Sequence, residues 1–196
     1  PELPHEALRA AQFIDEGRLL VTASGDKDHA IRAWKITAGP PKVVGEPLPH
    51  PDRVRAFDVD ARNEQRLIST CADGKVRIWN RRSAESIVID CPEAARSSNV
   101  SFLSDGKSYL VWGGGGAVVV GDLDSKDYRV LRGHSGTVEH VYRSPDDRWL
   151  AVVSHEGVSR LWSLSDPTAQ PLAIPLERTT SVAFHPTKPT LLLGSS

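Results

Sequence analysis

Three stretches of the chain end alike: Ala30-Ile31-Arg32-Ala33-Trp34, Lys75-Val76-Arg77-Ile78-Trp79 and Val158-Ser159-Arg160-Leu161-Trp162. A fourth, Ala117-Val118-Val119-Val120-Gly121-Asp122, keeps the alternation of side chains but puts Gly where the others put Trp. The four endings stand about 45, 42 and 41 residues apart, a period that marks one structural unit repeated along the chain.

Upstream of each ending, and once more near the end of the chain, an apolar run enters a turn. These are Phe13-Ile14-Asp15-Glu16-Gly17, Val59-Asp60-Ala61-Arg62-Asn63, Phe102-Leu103-Ser104-Asp105-Gly106, Arg143-Ser144-Pro145-Asp146-Asp147 and Phe184-His185-Pro186-Thr187-Lys188. Asp-Gly and Pro-Asp pairs between short apolar runs supply the backbone angles of a tight reversal. After the turn comes a second apolar run, such as Leu67-Ile68-Ser69-Thr70 or Trp149-Leu150-Ala151-Val152-Val153, then another turn and the Trp-bearing strand. Strand follows strand with no helical period in competition. A unit of this length built from short strands is of propeller-blade size. Arg143 breaks the pattern, since Phe13, Val59, Phe102 and Phe184 are apolar at the same place, so it must reach solvent or find a partner.

The segment from Leu131-Arg132-Gly133-His134 through Val138, Val141 and Ser144-Pro145-Asp146 to Leu161-Trp162 resembles a WD repeat, and the likeness extends over nearly the whole chain. The resemblance implies an all-β fold, a β-propeller of four-stranded antiparallel blades around a channel. The chain, residues 1–196, then reads as one segment of four blades and half of a fifth, with repeats near 4–47, 48–91, 92–131, 132–172 and 173–196. Propellers of this family usually close with seven or eight blades, and an open arc exposes apolar faces and strand edges. The missing blades are therefore expected from the rest of a parent chain or from a partner chain.

Ser, His and Asp recur in these repeats and invite comparison with a hydrolase triad. In the second repeat, however, His50, Ser69, Asp73 and Trp79 match the positions at which WD repeats carry a hydrogen-bonded structural tetrad, and the resemblance assigns them to scaffold. Such a network supplies partners for buried donors that would otherwise cost about 1 to 3 kcal/mol each. The fourth repeat keeps His134 and Trp162 but has Val152 and Glu156 at the Ser and Asp places. The first has Trp34 with Thr22 or Ser24 and with Asp26 or Asp28, two registers that the insertion in Ser24-Gly25-Asp26-Lys27-Asp28-His29 leaves open. The third has lost the set, with Val111, Gly115 and Gly121, and is expected to be the least stable blade.

Other motifs have plainer readings. Gly113-Gly114-Gly115-Gly116 lacks the Gly-Lys-Ser/Thr and the helix of a phosphate loop and reads as a mobile turn. Asp26, Asp28 and His29 lack the ligand spacing of a calcium site, so no metal and no cofactor is expected. Trp79-Asn80-Arg81-Arg82 resembles, with one mismatch, a Trp-Asp-x-Arg box by which some WD-repeat proteins dock onto a ubiquitin-ligase adaptor, but reads as a surface Arg pair.

Lys and Arg number 24 against 25 Asp and Glu, a net charge of -1 that gives no global basic field for nucleic acid or an anionic membrane. Cys71 and Cys91 lack the spacing of a disulfide framework or zinc site, which fits free thiols in a reducing, cytoplasmic compartment. No leader or membrane span is read. The expected function is a non-enzymatic scaffold or sensor that binds protein or peptide, or else a sensor propeller attached to an effector such as a protease, kinase or NTPase. In the family the rim of loops before the first strands and between the second and third commonly receives partners. Here that rim would carry Asp26, Lys27, Asp28, His29, Arg53, Thr137, His155 and Arg178.

Overall fold

The computed structural model describes residues 8–24, 28–155, 158–166, 168–174 and 179–195. The first sheet holds β1 (Leu8–Ile14), β2 (Leu19–Ser24), β3 (Ala30–Lys35) and β4 (Lys42–Pro49). The second holds β5 (Val54–Val59), β6 (Arg66–Cys71), β7 (Lys75–Asn80) and β8 (Glu85–Asp90). The third holds β9 (Ser97–Phe102), β10 (Ser108–Gly113), β11 (Ala117–Asp122) and β12 (Tyr128–Arg132). The fourth holds β13 (Val138–Arg143), β14 (Trp149–Ser154), β15 (Ser159–Ser163) and β16 (Leu172–Ile174), after which β17 (Thr179–Phe184) pairs with β18 (Leu191–Ser195). Within each sheet the strands lie in chain order, every pair antiparallel, as short turn-linked strands require.

The pairing register makes the sheets equivalent residue by residue. Trp34, Trp79 and Trp162 stand opposite Leu20, Leu67 and Leu150, while in the third sheet Gly121 stands opposite Tyr109. One pleat further, Thr22, Ser69 and Val152 face Arg32, Arg77 and Arg160, and Val111 faces Val119.

The core lies between successive sheets. Val21, Ile31 and Leu48 of the first pack against Phe57, Leu67 and Trp79 of the second. The other face of the second sheet, with Ile68, Val76 and Ile78, meets Tyr109, Val111 and Val119. Leu110, Val118 and Leu131 meet Leu150, Val152 and Trp162, and Ala151 with Val153 meets Val182. Trp79 and Trp162 therefore face back onto the preceding sheet. Each fully buried Leu or Ile in these layers contributes roughly 1.5 to 3 kcal/mol, so the layers cohere by stacking.

Polar links join neighbouring sheets at the turn between their first and second strands. Gln12 Oε1 accepts the Val59 N–H at 3.2 Å, and the equivalent Asp58 Oδ2 accepts the Phe102 N–H at 2.9 Å. Arg62 and Arg66 donate to the carbonyls of Asp105 and Gly106 at 3.1 and 2.7 Å. Asp147 Oδ2 accepts the Ser104 N–H at 2.6 Å. Arg143 belongs to this belt: its guanidinium donates to the Phe102 carbonyl at 3.0 Å and lies 3.5 Å from Asp147. It has taken the partner that its place in an apolar series demanded.

The glycine run answers to sterics. A Cβ on Gly114 would lie 2.9 Å from the Arg96 carbonyl oxygen, and one on Gly116, whose φ is +66°, would lie 2.5 Å from that of His134. The turn between β10 and β11 is pressed against its neighbours, so close backbone approach accounts for these glycines.

Candidate functional site: the loop rim and the networks beneath it

Beneath one end of the sheets lies a chain of side-chain hydrogen bonds. In the second sheet the indole N–H of Trp79 donates to Ser69 Oγ at 3.0 Å, and His50 Nε2 lies 2.8 Å from the same oxygen. His50 Nδ1 lies 3.0 Å from the Leu48 carbonyl. Burial, reinforced by the Arg77 charge, lowers the His50 pKa from 6.5 to about 4, so the ring is neutral at pH 7.

Asp73 departs from the tetrad expected of it. Its carboxylate is held by Arg77 Nη2 at 2.5 Å and by the Lys75 N–H at 3.1 Å. The network is thus a relay of three, His50, Ser69 and Trp79, beside a separate Asp73–Arg77 ion pair. Burial raises the Asp73 pKa, yet the hydrogen bonds from Arg77 outweigh it and leave the carboxyl below its ordinary value.

The first sheet repeats the arrangement and gives Trp34 its partner. The Trp34 indole donates to Thr22 Oγ1 at 2.7 Å, so Thr22 takes the place of Ser69. Asp28 is ion-paired with Arg32, four residues on, as Asp73 is with Arg77, while Asp26 lies outside the described residues. In the fourth sheet Val152 offers no acceptor, and the Trp162 indole nitrogen has no hydrogen-bond partner among the described residues. There Arg160 Nη1 donates to His134 Nδ1 at 2.9 Å, and Glu156 lies outside the described residues. An Arg two residues before the Trp thus recurs at 32, 77 and 160. The signal stood in the three quoted endings, but its role needs the partner strand to be seen.

The third sheet replaces the set by packing. A Cβ on Gly121 would lie 2.0 Å from Tyr109 Cζ, so the Tyr109 ring covers the glycine. Expectation had left this sheet without a filler, whereas the fully buried Tyr109 supplies one from the neighbouring strand.

At the rim, equivalent backbone bonds bring the predicted loops to one end. The Ala72 N–H donates to the Arg53 carbonyl at 3.0 Å, the His155 N–H to that of Thr137 at 2.9 Å and the His50 N–H to that of His29 at 2.9 Å. Arg53 and Thr137 are exposed. The His155 ring lies 3.1 Å from Glu139 Oε1, and Arg132 pairs with Glu93 at 2.6 Å, three charged residues that sequence reasoning had not placed there. Asp28 also accepts the Ala30 N–H at 3.1 Å, and His29 adopts a left-handed φ of +44°. Lys27 and Arg178, with Asp26, lie outside the described residues.

Chemically, this end displays charged groups over scaffold in which the Ser69 and Thr22 hydroxyls are engaged. Ser69 and Thr22 are wholly buried and accept indole protons. Among the described residues, no group of three or more His, Cys, Asp or Glu side chains is gathered for a metal ion. The Trp-Asn-Arg-Arg box is dispersed: Arg81 is half-buried and donates to the Glu64 carbonyl, Asn80 Oδ1 accepts the Arg82 N–H at 2.9 Å within its own turn, and Arg82 is exposed.

Repeated four-stranded antiparallel sheets stacked face to face are blades of β-propeller type. The chain carries repeats of the WD-repeat family. The family described as "WD domain, G-beta repeat" matches residues 43–80 and 125–163. The chain is 28% identical over 174 residues, 87% of its length, to "WD repeat and HMG-box DNA-binding protein 1" of Xenopus laevis, of which it spans 14%. It is 27% identical over 198 aligned positions, 98% of its length, to "Transcriptional corepressor LEUNIG_HOMOLOG" of Arabidopsis thaliana, of which it spans 24%. It is 28% identical over 189 residues, 92% of its length, to "Apoptotic protease-activating factor 1" of Rattus norvegicus, of which it spans 14%. The chain thus spans less than a quarter of each of these relatives.

Proposed function

We propose that this chain is a non-catalytic WD-repeat scaffold or sensor that binds a protein or peptide through the rim carrying Asp28, His29, Arg53, Thr137 and His155. The observation that carries this reading is the division of labour between buried and exposed polar groups. The Ser69 hydroxyl and His50 imidazole, the pair that invites comparison with a nucleophile and base, are bonded inside the blade, whereas Arg53, Thr137 and His155 are exposed on loops tied to rigid sheets. Such a rim can bind without rearranging, which suits a docking surface.

The blades stand as part of a larger ring in this reading, of seven or eight blades, whose remainder comes from a longer parent chain or a partner chain. Its support is the exposure of side chains at core positions: Phe13 is 62% exposed where its equivalent Val59 is 4%, and Leu192 is 71% exposed. A cavity of about 600 Å³, lined by Trp149, Leu161, Leu172, Phe184 and Leu191, opens between the fourth sheet and β17–β18. Two buried cysteines outside any disulfide suit a reducing, cytoplasmic setting.

A second reading, a sensor propeller attached to an effector, draws on the small fraction of each relative that the chain spans and on the protease-activating role in the name of one of them. The rim reading is tested by affinity capture with wild-type chain and with Arg53→Glu combined with His155→Glu. Selective loss of a captured protein with an unchanged melting temperature supports the rim; identical capture by both places the site elsewhere.

A further inference from the structure

The outer strands of the four sheets are not protected alike. An unpaired strand edge is a template for another chain, and proteins blunt it with Pro, bulges, charged side chains (above all Lys) or shortness. β4 contains Pro47 and Gly45, the latter at φ +74°. β12 carries Arg129 and Arg132, and β16 has three residues with a proline before and after it in the sequence. β8, Glu85-Ser86-Ile87-Val88-Ile89-Asp90, has neither Pro, Gly nor a cation, and its two charges stand at its ends, leaving the four central residues unprotected. Ile87 and Val88 are exposed, and among the described residues β8 pairs with β7 alone.

A second feature meets this edge. A notch of about 320 Å³ is lined by Arg66, Ile78, Asn80, Glu85 and Ile87, with Ile78 and Ile87 directly opposed across β7 and β8. The equivalent position beside Trp34 is Ala33 and beside Gly121 is Val120, and these pack with the Trp of the following sheet, Trp79 and Trp162 respectively. The residue that would reach Ile78 in the same way is Gly121. Tyr109 covers the glycine from within but is absent from the lining of the notch, so an aromatic-sized recess is left open to the outside.

Charge identifies what fits. β8 has a carboxylate at each end and no cation of its own: Glu85 stands at the mouth of the notch, and Asp90, paired with Lys75 of β7 at 3.1 Å, keeps 85% of its side chain exposed to a second cation. We propose that the outer edge of β8 is a docking site for an extended segment of another protein that carries a large aromatic side chain between basic residues. The segment adds to the sheet as a fifth strand through backbone hydrogen bonds, the mode known as β-augmentation. Its aromatic ring enters the notch over Ile78 and Ile87. Glu85 and Asp90 are five residues apart, about 17 Å at strand rise, so Lys or Arg residues spaced by five answer both carboxylates.

The test uses the full chain and a fluorescein-labelled octapeptide, Thr-Lys-Val-Trp-Val-Thr-Arg-Thr, read by anisotropy. Saturable binding is expected, weakened at least tenfold by Ile87→Lys, a surface change that leaves the melting temperature within a few degrees. Replacing the peptide's Lys and Arg by Glu is expected to weaken binding at least tenfold. Filling the recess with the pair Tyr109→Leu and Gly121→Trp is expected to weaken it at least fivefold. Arg53→Glu, on the rim, leaves the affinity within about twofold, so this site and the rim fail separately. Absence of saturable binding up to about 1 mM, or equal binding by wild type and Ile87→Lys, overturns the proposal.

Discussion

Tyr109 and Gly121 are complementary across one strand pair: the Tyr ring occupies the space in which a Cβ on the glycine would lie, 2.0 Å from Tyr109 Cζ. The other three sheets place Leu and Trp at this pair, so an aromatic ring sits on one strand or the other and never on both. Each single exchange should therefore fail. Gly121→Trp overpacks and Tyr109→Leu leaves a hole, and each is expected to cost roughly 2 to 4 kcal/mol. The double variant restores the Leu–Trp pair of the other sheets, and its cost should fall below the sum of the two singles by at least about 1 kcal/mol. Urea unfolding of the four proteins checks this, and strict additivity would show that the pair is not coupled.

Val152 deprives Trp162 of an acceptor that Ser69 and Thr22 supply to Trp79 and Trp34. Thr is close to Val in shape and brings an oxygen to the same place. Val152→Thr is expected to stabilise the chain by about 1 kcal/mol and to shift the Trp162 indole N–H resonance downfield. A loss of stability with an unmoved resonance would mean that the hydroxyl is buried without reaching the indole.

His50 makes stability depend on pH in a window that its shift defines. The folded pKa is about 4 against 6.5 unfolded, so the unfolded chain takes up a proton at a pH where the folded one does not. Stability from this group is whole above about 6.5 and is lost as pH falls toward 4, by a slope approaching 1.4 kcal/mol per unit and a total on the order of 3 kcal/mol. Urea midpoints from pH 7.5 to 4.5 for wild type and His50→Asn should converge as the pH falls. Parallel curves would show that His50 is not the group responsible.

The fold was legible because period is a property of the chain itself: four endings in one register and five turn motifs specify strands and their order before any contact is known. Thr22 was half legible, since the insertion after Ser24 shifts sequence counting but not the pairing of Leu20 with Trp34. Other features depend on what approaches from elsewhere. Tyr109 reads as one more apolar strand residue until its partner proves to be Gly121. Gly114 and Gly116 read as loose turn until the carbonyls of Arg96 and His134 are seen against them. Asp73 was drawn to His50 by analogy, whereas the nearer charge, Arg77 four residues on, holds its carboxylate. The rim was legible as a set of loops, because turns between known strands have only two ends to occupy. Its Glu139 and Glu93 partners were not.

The cohesion between sheets also rests on two equivalent polar bonds, from the N–H of Val59 to Gln12 and from the N–H of Phe102 to Asp58. A charged acceptor at 2.9 Å should hold its amide more firmly than a neutral one at 3.2 Å. Asp58→Ala leaves the Phe102 N–H without its side-chain acceptor. Its hydrogen exchange should quicken by tenfold or more, equivalent to about 1.4 kcal/mol of local opening, while the Val59 amide keeps its rate. Gln12→Ala should do the reverse, with a smaller change at Val59 and none at Phe102. Exchange that rises at both amides in either variant would show that the sheets part as one body, and that stacking of the apolar layers, not these bonds, sets the opening between them.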